Sequence, residues 1–188
     1  MAYTAHFTWE LEQGSFAALT QKLYELAGNK ARVYIARALN KTATSARVKL
    51  AAKAQASYTV KTGGFKKDLR LTPANAGNLV AILQSNGNTL DVPKFHWSHP
   101  KSGVKIDVVR SGLKPLGKYG NKAFVGGGSA NGQVYVRQSS SRLPIEKLKS
   151  KSVPYMLGSE NRVWGPMRPS IEADLQKYMR QQIAMLVG

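Results

Sequence analysis

The chain has 188 residues, of which 28 are basic and 10 acidic, giving a formal net charge of +18 at neutral pH. Its apolar content of 43% is enough for a hydrophobic core and argues against wholesale disorder. The absence of cysteine excludes disulfides, thiolate metal sites and cysteine nucleophiles, and no apolar run approaches the roughly 20 residues of a membrane span. We expect one domain over residues 1–188, whose charge attracts a polyanion or an acidic protein.

Residues 1–13 are predicted to form a short strand or an extended arm. Their aromatic residues alternate loosely with polar ones, at Tyr3, Phe7 and Trp9. No basic segment is followed there by an apolar one, so we expect no signal peptide. A first helix of about three turns should follow, with Ser15 as its N-cap and Gly28 at its end.

A second, longer helix is predicted from about Lys30 to Gln55, because apolar residues recur there every three or four positions. This apolar stripe consists of Ile35, Leu39, Ala43, Ala46, Leu50 and Ala54. Acids are absent from residues 30–67. Five basic residues of the predicted helix are therefore candidates for contact with DNA or a protein partner: Lys30, Arg37, Lys41, Lys49 and Lys53. The alternative is a solvated face, although such faces usually mix both signs of charge.

The apolar residues then alternate with polar ones, which predicts strands. The predicted strands are a segment holding Phe65, Leu69 and Leu71, followed by 79–84, 104–109, 123–126 and 133–138. Asn86-Gly87-Asn88 is a turn signal, and residues 86–122, rich in Pro, Gly and Lys, are predicted to be a loop-rich insert. Lys101 and Lys105 in this insert are further candidates for DNA or partner contact. The last two strands flank GGGSANG, which predicts a hairpin with a mobile tip.

Residues 137–157 are too polar for a core strand and too proline-broken for a helix, so we predict an extended arm. Pro144 and Pro154 remove backbone donors and keep the segment from closing into the protein's own sheet. Its apolar residues would then contact a neighbouring subunit: Leu143, Ile145, Leu148, Val153 and Tyr155. The alternative, an internal crossover packed within one subunit, is equally open.

A final helix is predicted to begin at Pro169-Ser170, with Glu172 and Asp174 near the positive end of its dipole. Its apolar stripe would consist of Ile171, Leu175, Tyr178 or Met179, Ile183 and Leu186.

No residue pattern carries a catalytic signature. His96 and His99 form an H-x-x-H pair, but a metal site needs three or four ligands and Asp91 is the only carboxylate near them in sequence. GGGSANG lacks the Gly-Lys-Ser/Thr ending of a phosphate-binding loop. The scattered carboxylates and three histidines leave few candidates for acid–base or nucleophilic chemistry. We therefore expect no enzyme activity, no metal and no cofactor.

Two patches interleave basic and aromatic residues, at Lys94-Phe95-His96-Trp97 and at Lys118-Tyr119. Such patches suit contact with nucleic acid, where cations neutralise phosphates and rings stack on bases. They suit an acidic protein equally well, because no helix-turn-helix, zinc-finger or RNP-type pattern is present.

Two segments carry a resemblance to a known family. In Ala36 to Leu71, a helix beginning ALNKTA leads through VKT to a Leu-rich strand, and in Arg142 to Leu157 the pairs Pro144-Ile145 and Val153-Pro154 precede the last helix. These patterns and their order resemble the minor tail protein Z family of long-tailed bacteriophages, also called tail completion proteins. The motifs are structural rather than catalytic. The residues before the long helix and residues 86–122 carry little of the match.

The resemblance implies an α+β subunit, with a small, mostly antiparallel sheet packed against a long helix of the N-terminal half and a C-terminal helix, and with extended arms and loops. It also implies a structural virion protein, assembled in the cytoplasm of the host bacterium, that acts in tail completion at the head-proximal end or neck, in head–tail joining and DNA positioning.

The implied partners are further copies in a ring, a hexamer by analogy with the tail's sixfold symmetry, and the tail-terminator, tail-tube and head-joining proteins. Transient contact with phage double-stranded DNA is also expected, and contact with a membrane is not. The alternative function is that of a basic nucleic-acid-binding protein without a recognised motif.

Overall fold

A computed structural model describes residues 2–9, 16–61, 65–128 and 132–187 of the chain. Its helices are α1 (Ala17–Ala27), α2 (Ala31–Ser57), α3 (Val153–Leu157) and α4 (Trp164–Val187). Its strands are β1 (Ala2–Trp9), β2 (Arg70–Thr72), β3 (Ala81–Asp91), β4 (His96–Ser98), β5 (Lys105–Asp107), β6 (Lys114–Pro115), β7 (Gly117–Lys118), β8 (Asn121–Lys122), β9 (Phe124–Val125), β10 (Val134–Arg137), β11 (Ile145–Lys147) and β12 (Lys149–Ser152). The strand pairings of these ranges are antiparallel, which with the two long helices confirms the predicted α+β class.

β3 is the central strand of the largest sheet. β1 pairs along one side of it, while β2 and β12 pair with successive parts of the other side. The turn predicted at residues 86–88 is therefore wrong, because the strand runs through it. A Cβ at Gly87 would lie 3.4 Å from the Pro154 ring. The glycine thus allows α3 to approach the strand closely, a common reason for glycine inside a strand.

The apolar stripe predicted for α2 is confirmed, since each of its side chains is at most 1% exposed. Its C-terminal half, from Ala46 to Ala54, packs in a hydrophobic cluster with α3 and the strands. Its N-terminal half, from Ile35 to Ala43, packs in a second cluster with α1 and α4. Alanine side chains let the surrounding elements come close, so one helix joins both clusters.

The shorter N-terminal elements agree with the sequence where the structure describes them. The first helix ends at Ala27 with Gly28 as its C-cap, whereas Ser15, the predicted N-cap, lies outside the described residues. The N-terminal segment forms a strand over Ala2–Trp9, and residues 10–13 lie outside the described ranges. Residues 65–68 form a 3-10 helix before β2, so the strand predicted there begins later.

The start of α4 corrects the sequence-based prediction. The helix begins at Trp164, and Pro169 lies inside it. A proline at the first helical position is a common start signal, which explains the error. Pro169 lacks the N–H that would bond to the carbonyl of residue 165, yet the helix continues to Val187.

The two acids of α4 consequently lie beyond its first turn, so the proposed role near the helix dipole is wrong. Glu172 accepts a hydrogen bond from Arg168 at 3.0 Å, and Asp174 bonds to α2 instead of to its own helix end. In the buried stripe, Met179 is fully buried and Tyr178 only partly.

Residues 86–122 contain more strand than the predicted loop-rich insert. Residues 86–91 belong to β3, β4–β5–β6 form a small sheet, and β7 pairs with β8. The strand predicted over 104–109 is limited to β5. The hairpin of β9 and β10 is confirmed, while residues 129–131 at its tip lie outside the described residues.

Candidate interaction surfaces

The basic residues predicted to contact DNA or a partner, on α2 and at Lys30 just before it, differ in how accessible they are. Lys30, Arg37 and Lys41 are exposed, and Lys53 is half-buried. The Arg37 guanidinium lies over the Tyr34 ring, 5.3 Å from its centroid, which orients the side chain. Lys41 also lines an open groove of about 670 Å³ between α2 and α4. These side chains are placed where a partner can reach them.

Lys49 is instead engaged within the subunit. Its Nζ lies 2.6 Å from Oδ2 of Asp174 and 2.7 Å from Oγ of Ser170, and the Ser45 hydroxyl donates to the same carboxylate oxygen at 2.6 Å. Burial disfavours the charged form of Asp174, but the hydrogen bonds from Lys49 and Ser45 outweigh it and hold the pKa of Asp174 below its ordinary value. The prediction that Lys49 faces DNA or a partner is therefore corrected, because this side chain fastens α4 to α2.

The predicted arm at residues 137–157 lies along its own subunit. β11 pairs with β10, and β12 pairs with β3. Leu148 and Val153 are each 8% exposed and belong to the hydrophobic core. Their assignment to a subunit interface is corrected, and the crossover alternative describes this backbone. Leu143, Ile145 and Tyr155 remain 66%, 38% and 51% exposed.

The two prolines of this segment stand at element boundaries rather than outside the sheet. Pro144 immediately precedes β11 and needs no ladder hydrogen bond. Pro154 lies in the first turn of α3, where backbone N–H groups have no partner within the helix. Ser152 caps that helix, because its Oγ accepts from the Tyr155 N–H at 3.3 Å. The segment can therefore pair and pack internally despite both prolines.

A second group of cations, the basic sheet surface, lies on and between the short strands β4–β8. It is defined by Lys101, Lys105 and Lys122. Lys114 is paired with Ile106 and so lies on the opposite face of the small sheet from Lys105. All are exposed except Lys105, which is partly buried. The acid of this region, Asp107, is 7% exposed and its Oδ1 accepts from the Ser111 N–H at 3.0 Å. It therefore offsets little of the positive charge that faces solvent.

Sequence reasoning found only part of this surface. It identified Lys101 and Lys105 but passed over Lys122, which lies at the end of β8. The low acid content of this region could have revealed the surface, because Asp107 is the one acid between residues 92 and 122.

A groove of about 650 Å³ lies beside Lys105. Its other lining residues are Trp97, Ser98, His99, Pro100 and Leu113. The rings of Trp97 and His99 lie 5.3 Å apart, and Trp97 packs against the core. Within the described ranges, no group of three or more His, Asp or Glu side chains is placed to hold a metal ion.

The Lys118-Tyr119 patch is occupied by an acid from β11. Lys118 Nζ lies 2.8 and 3.0 Å from the two carboxylate oxygens of Glu146, and the Tyr119 hydroxyl donates to Oε2 at 2.8 Å. Hydrogen bonds from Lys118 and then from Tyr119 hold the pKa of Glu146 below its ordinary value. This patch is therefore neutralised internally, in contrast to the neighbouring basic sheet surface.

Comparisons with protein-family models, with curated proteins and with solved structures gave no match. Of the helices in the described ranges, none combines the length and the apolarity needed to cross a membrane.

Proposed function

We propose that the protein is a structural component of a bacteriophage virion that acts in tail completion at the head-proximal end of the tail or in the neck. There it would take part in joining the head to the tail and in positioning the DNA. The observation that carries the proposal is how the two resembling segments pack. Residues 36–71 and 142–157 are far apart in sequence, yet α2, Leu148 and α3 contribute to one hydrophobic cluster that includes Leu83 of β3. The motifs that resemble the tail protein family thus form one structural frame.

The surfaces that project from this frame suit an assembly subunit. Leu143, Ile145 and Tyr155 are exposed on the crossover, in which β11 pairs with β10, and exposed apolar side chains favour contact with another protein. The proposed neighbours are further copies in a ring, a hexamer by analogy, with tail-terminator, tail-tube and head-joining proteins. The exposed cations of α2 suit acidic surfaces on such neighbours.

Immunogold electron microscopy tests the proposal directly. An antibody against the protein is applied to particles purified from an induced lysate, with particles from a strain whose gene carries an early stop codon as the matched control. We expect gold label at the head–tail junction or at the upper end of free tails, and none on the control. Purified particles that lack both the label and the protein by immunoblot would contradict a virion role.

The second candidate function is that of a basic nucleic-acid-binding protein, and the basic sheet surface favours it. A dedicated binder would hold duplex DNA tightly, with an affinity that falls steeply with salt. A tail subunit would bind DNA weakly and associate with tail or head-joining proteins. The affinity at physiological salt therefore separates the two candidates.

A further inference from the structure

We infer that the basic sheet surface binds the phosphate backbone of double-stranded DNA. The inference deepens the DNA-positioning part of the proposed function and rests on it for the source of the DNA. Binding itself is measured on the isolated protein, so its failure is distinguishable from absence of the protein in the virion.

Backbone hydrogen bonds join the three chain segments that carry this surface. The Val104 N–H donates to the Ala123 carbonyl at 3.2 Å, the Leu116 N–H to the Val104 carbonyl at 2.9 Å, and the Ala123 N–H to the Leu116 carbonyl at 2.9 Å. Lys105 follows Val104 and Lys122 precedes Ala123, the two residues that the first of these hydrogen bonds joins. The two cations are therefore brought together by the fold although they are distant in sequence.

The turn between β4 and β5 adds a third cation. The Gly103 N–H donates to the Pro100 carbonyl at 2.9 Å, closing a turn that contains Lys101. Gly103 has a φ of +118°, and a Cβ there would lie 3.5 Å from the Cβ of Lys122. The turn thus lies against β8, and Lys101 is two residues from the glycine that contacts Lys122.

The described part of the chain places no carboxylate where it would offset the charge of these lysines. Elsewhere, lysines pair with carboxylates, as Lys49 does with Asp174 and Lys147 with Asp91. Among the residues that the structure describes, no carboxylate lies within ion-pair distance of Lys101, Lys105 or Lys122. A cluster of uncompensated point charges attracts an anion that offers several negative groups at once.

Duplex DNA fits this surface better than a single strand does. Single-strand binding depends on free aromatic rings on which bases stack. Here Trp97 packs against the core and His99, while Tyr119 is engaged by Lys118 and Glu146. Lysines that contact phosphates position a duplex without reading its sequence, which suits DNA that must move past the protein.

An acidic protein is the less suitable partner. Protein interfaces are depleted in lysine at their cores and depend on buried aromatic or arginine anchors. On this surface the exposed large apolar side chains are Leu113, at 38%, and Tyr119, whose hydroxyl is bonded to Glu146. The surface therefore offers charge without the apolar centre that a protein partner needs.

The test measures binding of a short duplex of mixed sequence by fluorescence anisotropy at several salt concentrations. We expect a dissociation constant of about 10⁻⁶ to 10⁻⁴ M at physiological salt, typical of contacts made only to phosphates. The variant Lys101→Ala/Lys105→Ala/Lys122→Ala should bind at least about tenfold more weakly, with a slope of log affinity against log salt reduced by about 2 to 3. The matched control, Lys22→Ala/Lys66→Ala/Lys177→Ala, removes the same charge from exposed lysines elsewhere and should keep the slope.

A variant expected to bind more tightly shows that a loss of binding in the triple variant is not caused by misfolding. Glu146→Gln removes the acid that neutralises Lys118 beside the surface, and we expect tighter duplex binding with a slope about 1 steeper. Equal slopes for the two triple variants would overturn the inference, as would a preference for the single strand. Binding of poly-glutamate that depends on the three lysines, without duplex binding, would assign the surface to an acidic protein and also overturn it.

Discussion

The charged cluster between α2 and α4 supports a quantitative prediction. The Asp174 side chain is 16% exposed and that of Lys49 is 31% exposed. The pair therefore lies between a surface ion pair, worth below about 1 kcal/mol, and a buried pair, whose disruption costs about 3–5 kcal/mol. Asp174→Asn keeps the shape of the side chain and removes its charge. We expect it to lower the free energy of unfolding by about 2 kcal/mol, and Lys49→Met to cost a similar amount by leaving the carboxylate with Ser45.

The assay is a double-mutant cycle followed by urea denaturation at neutral pH. We expect a coupling energy of about 1–2 kcal/mol between Lys49 and Asp174. The matched control is the Arg168–Glu172 pair of α4, at 3.0 Å, whose side chains are 55% and 47% exposed and whose coupling should be about 0.3–0.5 kcal/mol. A coupling for the first pair no larger than that of the control would refute the idea that it fastens α4 to α2.

The same pair sets a pH dependence. The pKa of Asp174 is lowered in the folded protein, so the folded state favours the ionised carboxylate. The stability from this group is fully present above the unfolded-state pKa of about 4 and is lost as the pH falls through the lower folded pKa. The stabilities of wild type and Asp174→Asn should therefore converge only at acid pH. Convergence already near neutral pH would contradict the assignment.

Other substitutions test packing and exposure in the same denaturation assay. Ala43→Leu in the buried stripe should cost about 1–3 kcal/mol by overpacking, whereas exposed Ala52→Leu should have little effect. Asn40→Ala should cost about 1–3 kcal/mol, because its amide accepts and donates one hydrogen bond each with the backbone after β2; no change would show these bonds to be dispensable. Ile145→Asp should leave the subunit folded but reduce particle assembly, while Leu148→Asp should prevent folding. If Ile145→Asp unfolds the subunit, the proposed interface role of Ile145 is wrong.

The sequence predicts the long helices well because their signal is repeated many times. In α2 the apolar stripe recurs from Ile35 to Ala54, over about five turns of helix, so a single misleading residue cannot hide it. Boundaries depend on single residues and fail more easily. Pro169 resembles a helix start, and Gly87 resembles a turn, because the sequence does not tell which elements will pack beside them.

In the candidate sites, too, some features can be seen in the sequence and others depend on which elements pack together. The scarcity of acids around Lys101 and Lys105 can be seen in the sequence, where Asp107 is the one acid between residues 92 and 122. The role of Lys49 depends on α4 crossing α2 near Asp174, a contact between residues on different helices. Lys122 comes near Lys105 only through the backbone hydrogen bond between Val104 and Ala123. Charge counts alone cannot separate cations that hold the fold together from cations that face a partner.

The cations that face solvent affect how such a subunit would assemble. Identical subunits with a net charge of +18 repel one another at low ionic strength, so a ring of them needs contacts that do not depend on charge, or a polyanion that bridges them. The exposed Leu143 and Ile145 could make contacts that do not depend on charge, and the basic sheet surface could bind a bridging polyanion. In the proposed neck position, DNA on the ring axis would lower the repulsion between neighbours. DNA contact and self-association would then strengthen each other, because each bound duplex neutralises several subunits at once.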